Sequence, residues 1–118
     1  MEHRWSIRKP IHGGITFTLS PWDKVQANIC NVSLGGLATT NQQRLIPVNT
    51  IATLSFSLEY DGCVSYHHLH AQVAHCDAAC IGFLFVEPGD ETLHVLRDML
   101  YSPASRLAAS IAGQSFAA

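Results

Sequence analysis

The segment Asn31-Val32-Ser33-Leu34-Gly35-Gly36 carries short polar side chains and a glycine pair between two apolar runs. Asn and Ser side chains form hydrogen bonds with nearby backbone groups, and glycine adopts φ values that other residues resist. The pattern predicts a tight turn that presents the side chains of Asn31 and Ser33 to solvent, together with several backbone N–H groups. Gly35 and Gly36 would let a ligand approach the backbone closely.

Two arginines near the N-terminus, Arg4 and Arg8, are four residues apart and are followed by Lys9. The planar arginine side chain matches phosphate oxygens in a bidentate manner and stacks on the face of a base. It also binds the N7 and O6 acceptors of guanine. A cationic segment that meets a polar turn predicts a receptor for a phosphorylated ligand that carries a flat base.

The overall composition narrows the classes of function. With 118 residues, 47% of them hydrophobic and 14% charged, the chain is expected to form one domain around a single core. The net charge of −2 argues against sequence-blind binding of DNA or RNA. No apolar run approaches the roughly 20 residues that cross a bilayer, and no secretory signal is present, so we expect a cytoplasmic location without membrane insertion.

Alternating apolar and polar residues predict six short strands that are separated by turns, among them a hairpin at Asp61-Gly62. Leucines at helical spacing after Pro88 predict an amphipathic helix over 91–101. These elements predict an all-β fold, a closed or nearly closed antiparallel barrel with a C-terminal helix at one end. The expected organisation is a flexible ligand-binding arm, a barrel with its packed helix, and a C-terminal helix or tail: 1–13, 14–101 and 102–118.

Other chemistry is less well supported. The main alternative is a zinc site, because six side chains of the types that bind zinc lie close together in the sequence: His67, His68, His70, His75, Cys76 and Cys80. In a strand, His68 and His70 share one face while His67 and His75 lie on the other, so we expect surface histidines and no metal. The four cysteines are expected to be small buried side chains without disulfides. No nucleophile elbow surrounds Ser33, and no catalysis is expected.

The order Arg4-x-x-x-Arg8 followed by Asn31-x-Ser33-x-x-Gly36 resembles the paired signature of PilZ domains. The segment Ile81-Gly82-Phe83-Leu84-Phe85 is similar to a late strand of that family, and a helix follows Pro88 as it does there. The resemblance covers most of the chain, from about Arg4 to Leu100. It implies a six-stranded antiparallel barrel of split-barrel type that binds the bacterial second messenger cyclic di-GMP and needs no other cofactor.

The resemblance also implies a role for each signature residue. Arg4 and Arg8 would grip the nucleotide, Asn31 stands where the family has Asp or Asn, and Ser33 and Gly36 would complete the turn that meets the ligand. The arm is expected to be disordered without ligand and to close over one cyclic di-GMP or a stacked pair.

The implied module is a non-enzymatic regulator of a partner protein or of a fused enzyme. The segments Leu96-Arg97-Asp98-Met99-Leu100 and Ser105-Arg106-Leu107 look somewhat like the end of the PilZ domain in bacterial cellulose synthases. That resemblance would place the module at the cytoplasmic face of the inner membrane. Control of exopolysaccharide or cellulose synthesis is one expected output. The alternative is a PilZ-like protein-interaction module that does not bind nucleotide.

Overall fold

The computed structural model describes residues 7–101. They form six β-strands and one α-helix: β1 (Lys9–Ser20), β2 (Asp23–Val32), β3 (Gly36–Thr40), β4 (Ile51–Tyr60), β5 (Cys63–Cys76), β6 (Cys80–Val86) and α1 (Asp90–Tyr101). The first part of the predicted arm and the predicted C-terminal helix or tail at 102–118 lie outside the described residues. No helix within 7–101 has the length and apolar character needed to cross a membrane.

The six strands close into an antiparallel barrel in the order β1-β2-β3-β6-β5-β4, which confirms the predicted architecture. Alternation along each strand points one set of apolar side chains inward. The rings of Phe17 and Phe83 meet across this core with centroids 5.3 Å apart. The turns between β2 and β3 and between β4 and β5, together with α1, lie at one end of the barrel, which we call the arm end.

β1 begins at Lys9, five residues before the predicted start at Gly14. Lys9 pairs with Val32, Pro10 pairs with Asn31, and the register shifts between Pro10 and Gly13. This irregularity breaks the apolar–polar alternation, so the sequence of this stretch lacks the period of a strand. Residues 9–13 are therefore part of strand β1 in the barrel.

A second register shift, between Val73 and His75, changes the face on which His75 lies. His75 is exposed and pairs with Gly82 on the outer surface, whereas His67 is only 4% exposed. The prediction that His67 and His75 share a face is therefore wrong, because the extra residue reverses the alternation. His67 also departs from the expectation of surface histidines.

The four cysteines are free thiols, and none of them is fully buried. Cys63 is exposed at the start of β5, and the other three are partly exposed. The expectation of buried cysteines is wrong, because all four lie at strand ends or next to register shifts, where burial is incomplete; Cys76 still packs against the edge of the core.

α1 covers the arm end with Thr92, Leu96 and Leu100, which are buried. Asp90 and Glu91 occupy its first turn, where the helix dipole favours negative charge. His67 connects this helix to the barrel, since its Nδ1 lies 2.7 Å from the hydroxyl oxygen of Thr92.

The other ring nitrogen of His67, Nε2, lies 2.7 Å from the Ser65 hydroxyl, and the ring stacks on Phe56 with centroids 5.5 Å apart. Burial lowers the pKa of His67, and the negative charge of Glu91 opposes that shift. The neutral ring is therefore a structural link between β5 and α1.

This link predicts that the barrel loses stability in mild acid. Because the folded-state pKa of His67 lies below its ordinary value of 6.5, the unfolded chain binds the proton more readily. The contribution of His67 to stability should be fully present above pH 6.5 and should be lost as the pH is lowered through the folded-state pKa. Thermal unfolding between pH 5 and pH 8 measures this, and His67→Gln should flatten the acid side of the curve. If His67→Gln loses as much stability in acid as the parent chain does, groups other than His67 cause the loss.

Candidate functional site

The structure brings Arg8 onto the turn between β2 and β3. The Arg8 Nε donates a hydrogen bond to Asn31 Oδ1 at 2.9 Å, and its Nη1 donates one to Ser33 Oγ at 3.2 Å. Lys9 pairs with Val32 at the start of the β1–β2 ladder, so the backbone of Arg8 lies beside the end of β2. Three of the residues predicted to form one site therefore lie together at the arm end.

Ser33 organises the turn from inside. It is only 3% exposed, its backbone N–H donates to the Gly36 carbonyl at 2.8 Å, and its hydroxyl lies 3.2 Å from the same oxygen. The Ser33 hydroxyl thus donates to Gly36 and accepts from Arg8 at once. In this structure it positions the guanidinium, and a direct contact between Ser33 and a ligand stays a prediction.

The two glycines of the turn have different environments. A Cβ at Gly36 would overlap the carbonyl oxygen of Phe83 on the neighbouring strand β6, whereas a Cβ at Gly35 would meet nothing within 4 Å. Neither has the positive φ found at Gly62 and Gly89. Gly36 is therefore required by close strand packing, and Gly35 leaves open space at the surface of the turn.

Arg8 and Asn31 keep unused hydrogen-bonding capacity. A guanidinium has five N–H donors, of which Asn31 and Ser33 take two, so three remain. Asn31 uses its Oδ1 for Arg8, and its Nδ2 donates no hydrogen bond to any of residues 7–101. No carboxylate within that range forms an ion pair with Arg8.

This arrangement suits an anionic or guanine-bearing ligand. The guanidinium is exposed, oriented by two neutral acceptors and not neutralised by a described acid, so its charge and its fork face solvent. Two parallel N–H donors match the oxygens of a phosphate or the N7 and O6 edge of guanine. The second predicted arginine, Arg4, lies outside the described residues.

The histidines and cysteines that were considered as zinc ligands do not come together in the described part of the chain. Among residues 7–101, no group of three or more His, Cys, Asp or Glu is arranged to hold a metal ion. His68 and His70 instead contact hydroxyls of the adjacent strand, with Nδ1 to Oγ distances of 2.8 Å to Ser55 and 3.3 Å to Thr53.

The neighbouring Cys76 and His75 also turn to separate partners. Cys76 Sγ lies 3.2 Å from the Arg44 carbonyl, and His75 Nε2 lies 3.4 Å from Asp77 Oδ2. Burial raises the pKa of Cys80, the first residue of β6, which disfavours its thiolate. These contacts do not assemble a thiol–imidazole pair for nucleophilic chemistry.

At the level of sequence, no family model and no curated protein matches the chain. Solved structures do match its fold. The PilZ domain with c-di-GMP of YcgR from Escherichia coli aligns with a TM-score of 0.67 and 14% identity, over 95% of this chain and 98% of that chain. The PilZ domain of CeSA from a cellulose-synthesizing bacterium aligns with a TM-score of 0.59 and 13% identity, over 81% and 96% of the two chains.

A third structure, the inhibitor of motility MotI/DgrA of Bacillus subtilis, aligns with a TM-score of 0.69 and 14% identity. The alignment covers 81% of this chain and 48% of that one, so the chain spans about half the length of the Bacillus protein. At these low identities the likeness is one of fold.

Proposed function

We propose, from a barrel that has the fold of PilZ domains, that this chain is a non-enzymatic receptor for cyclic di-GMP. The observation that carries the proposal is the orientation of Arg8 by Asn31 and Ser33. A solved neighbour with this fold, the YcgR domain of Escherichia coli, is described with c-di-GMP. The signature Arg4-x-x-x-Arg8 and Asn31-x-Ser33-x-x-Gly36 is complete in this sequence.

The proposed binding mode uses the free donors of the site. Arg8 would direct its three remaining N–H groups to a phosphate or to the guanine N7 and O6 atoms, and the Asn31 amide would donate beside it. Gly35 leaves room for the ligand to approach the turn. Charge-assisted hydrogen bonds of this kind contribute about 1.5–3 kcal/mol each.

Arg4 is proposed as the second gripping arginine, on an arm that closes over one nucleotide or over a stacked pair. Closure would then change the surface that a partner protein or a fused synthase domain contacts. Under this proposal the chain responds to the concentration of cyclic di-GMP, and any catalytic step is carried out by the protein that it regulates.

Isothermal titration tests the proposal. The chain should bind cyclic di-GMP and should bind cyclic di-AMP about tenfold more weakly or worse, because adenine has a donor at the position of the guanine O6 acceptor. A saturable binding heat with cyclic di-GMP, and none with cyclic di-AMP, would support the proposed receptor function. A flat titration with both nucleotides would refute it and would favour the protein-interaction module.

A further inference from the structure

A polar hollow of about 440 Å³ lies on the outer face of the barrel, where β1 and β2 pass between β4 and the end of β3. On β2 it is lined by residues 26–28, before the strand reaches the arm end, and none of Arg8, Asn31 and Ser33 lines it. Its volume falls in the range of small-molecule sites.

Strand register explains why the hollow exists. Gly14 pairs with Asn28, and Thr16 pairs with both Gln26 and Ser55, so two neighbouring rows of outward residues cross the strands here. Gly14 contributes no side chain, and a Cβ there would meet nothing within 4 Å. The missing side chain leaves a depression that the flanking amides and hydroxyls surround.

The side chains around the depression are polar, neutral and mostly unpaired. Thr16, Gln26, Asn28 and Gln42 make no side-chain hydrogen bond to any other of residues 7–101. None of the residues that line the hollow carries a charge. Three carboxamides and one hydroxyl therefore point donors and acceptors at the same space without an internal partner.

This chemistry selects a class of ligand. A site without a cation is poorly suited to phosphate, and a site without a large apolar surface is poorly suited to lipid. Carboxamides, which have a donor and an acceptor on one plane, suit adjacent hydroxyl groups of a sugar.

We infer that this hollow, hereafter the amide hollow, is a second binding site that takes a neutral saccharide. Gln26, Asn28 and Gln42 bind sugar hydroxyls, and the space left by Gly14 receives one ring. The site is separate from the arginine site and does not require the chain to bind a nucleotide.

Nuclear magnetic resonance titration of the side-chain amides tests the inference directly. Cellobiose, maltose and chitobiose are added separately to the ¹⁵N-labelled chain, with the NH₂ signals of Gln26, Asn28 and Gln42 as the readout. At least one sugar should shift these signals in a saturable manner. Gln26→Ala should weaken that binding about fivefold, the effect of losing a neutral hydrogen bond.

Gly14→Val provides the matched steric variant. Valine favours strands and has open space at this position, so the barrel should fold while the amide hollow is filled. Sugar-induced shifts should disappear in Gly14→Val and persist in Arg8→Ala. The absence of shifts with all three sugars, or their persistence in Gly14→Val, would overturn the inference. Loss of cyclic di-GMP affinity in Gly14→Val would also overturn it, because the hollow would then belong to the nucleotide site.

Discussion

Arg8→Ala is expected to weaken cyclic di-GMP binding by at least about tenfold. The substitution removes a guanidinium that two hydrogen bonds, to Asn31 and Ser33, hold in place before any ligand arrives. Each lost charge-assisted hydrogen bond to the ligand costs about 1.5–3 kcal/mol, and one such loss already corresponds to a factor of ten or more. Isothermal titration of the variant beside the parent chain measures the effect.

Arg8→Lys is the matched control for charge. Lysine keeps the positive charge but lacks the planar fork, so it should restore only part of the affinity if bidentate recognition matters. Full rescue by lysine would reduce the role of Arg8 to a point charge. Because Arg8 is exposed, both variants should melt near the temperature of the parent chain.

Gly36→Ala is expected to destabilise the barrel by about 3 kcal/mol, the upper part of the range for overpacking in a tight site. The added methyl group would overlap the Phe83 carbonyl, and that atom belongs to the backbone of β6 and cannot rotate away. Gly36 pairs with Leu84 at the start of the β3–β6 ladder, so relief requires the two strands to separate where the barrel closes. Thermal unfolding should show a melting temperature lower by roughly 10–20 °C.

Gly35→Ala separates the steric argument from a general intolerance of the turn. The neighbouring position has open space and no positive φ, so alanine there should change the melting temperature little. Similar destabilisation by both variants would show that the overlap with Phe83 is not the cause. If Gly35 adjoins the nucleotide, Gly35→Ala should reduce affinity without loss of stability.

The parts of the fold that follow from local pattern were predictable. Asp61-Gly62 predicted a two-residue hairpin, and both residues have positive φ, at 56° and 79°, between β4 and β5. The helix predicted over 91–101 differs from α1 by one residue at its start, because the acidic first turn and the leucine spacing are both visible in the sequence. The barrel was predictable from six alternating strands separated by turns, although the strands range from 5 residues in β3 to 14 in β5.

Features that depend on register or on distant partners were not predictable. The shift between Pro10 and Gly13 hid the start of β1, and the shift between Val73 and His75 moved His75 to the outer surface. The sequence does not distinguish His67 from the neighbouring histidines, because its partner Thr92 lies 25 residues later on a different element. Of the candidate site, the sequence indicated Arg8, Asn31 and Ser33, but it could not indicate that Ser33 is buried.

The carbonyl of Gly35 in the β2–β3 turn accepts a hydrogen bond of 2.8 Å from the Phe85 amide. Phe85 is the penultimate residue of β6, and α1 begins at Asp90 after a short connection. The turn that carries Asn31 and Ser33 is therefore hydrogen-bonded to the strand that leads into α1.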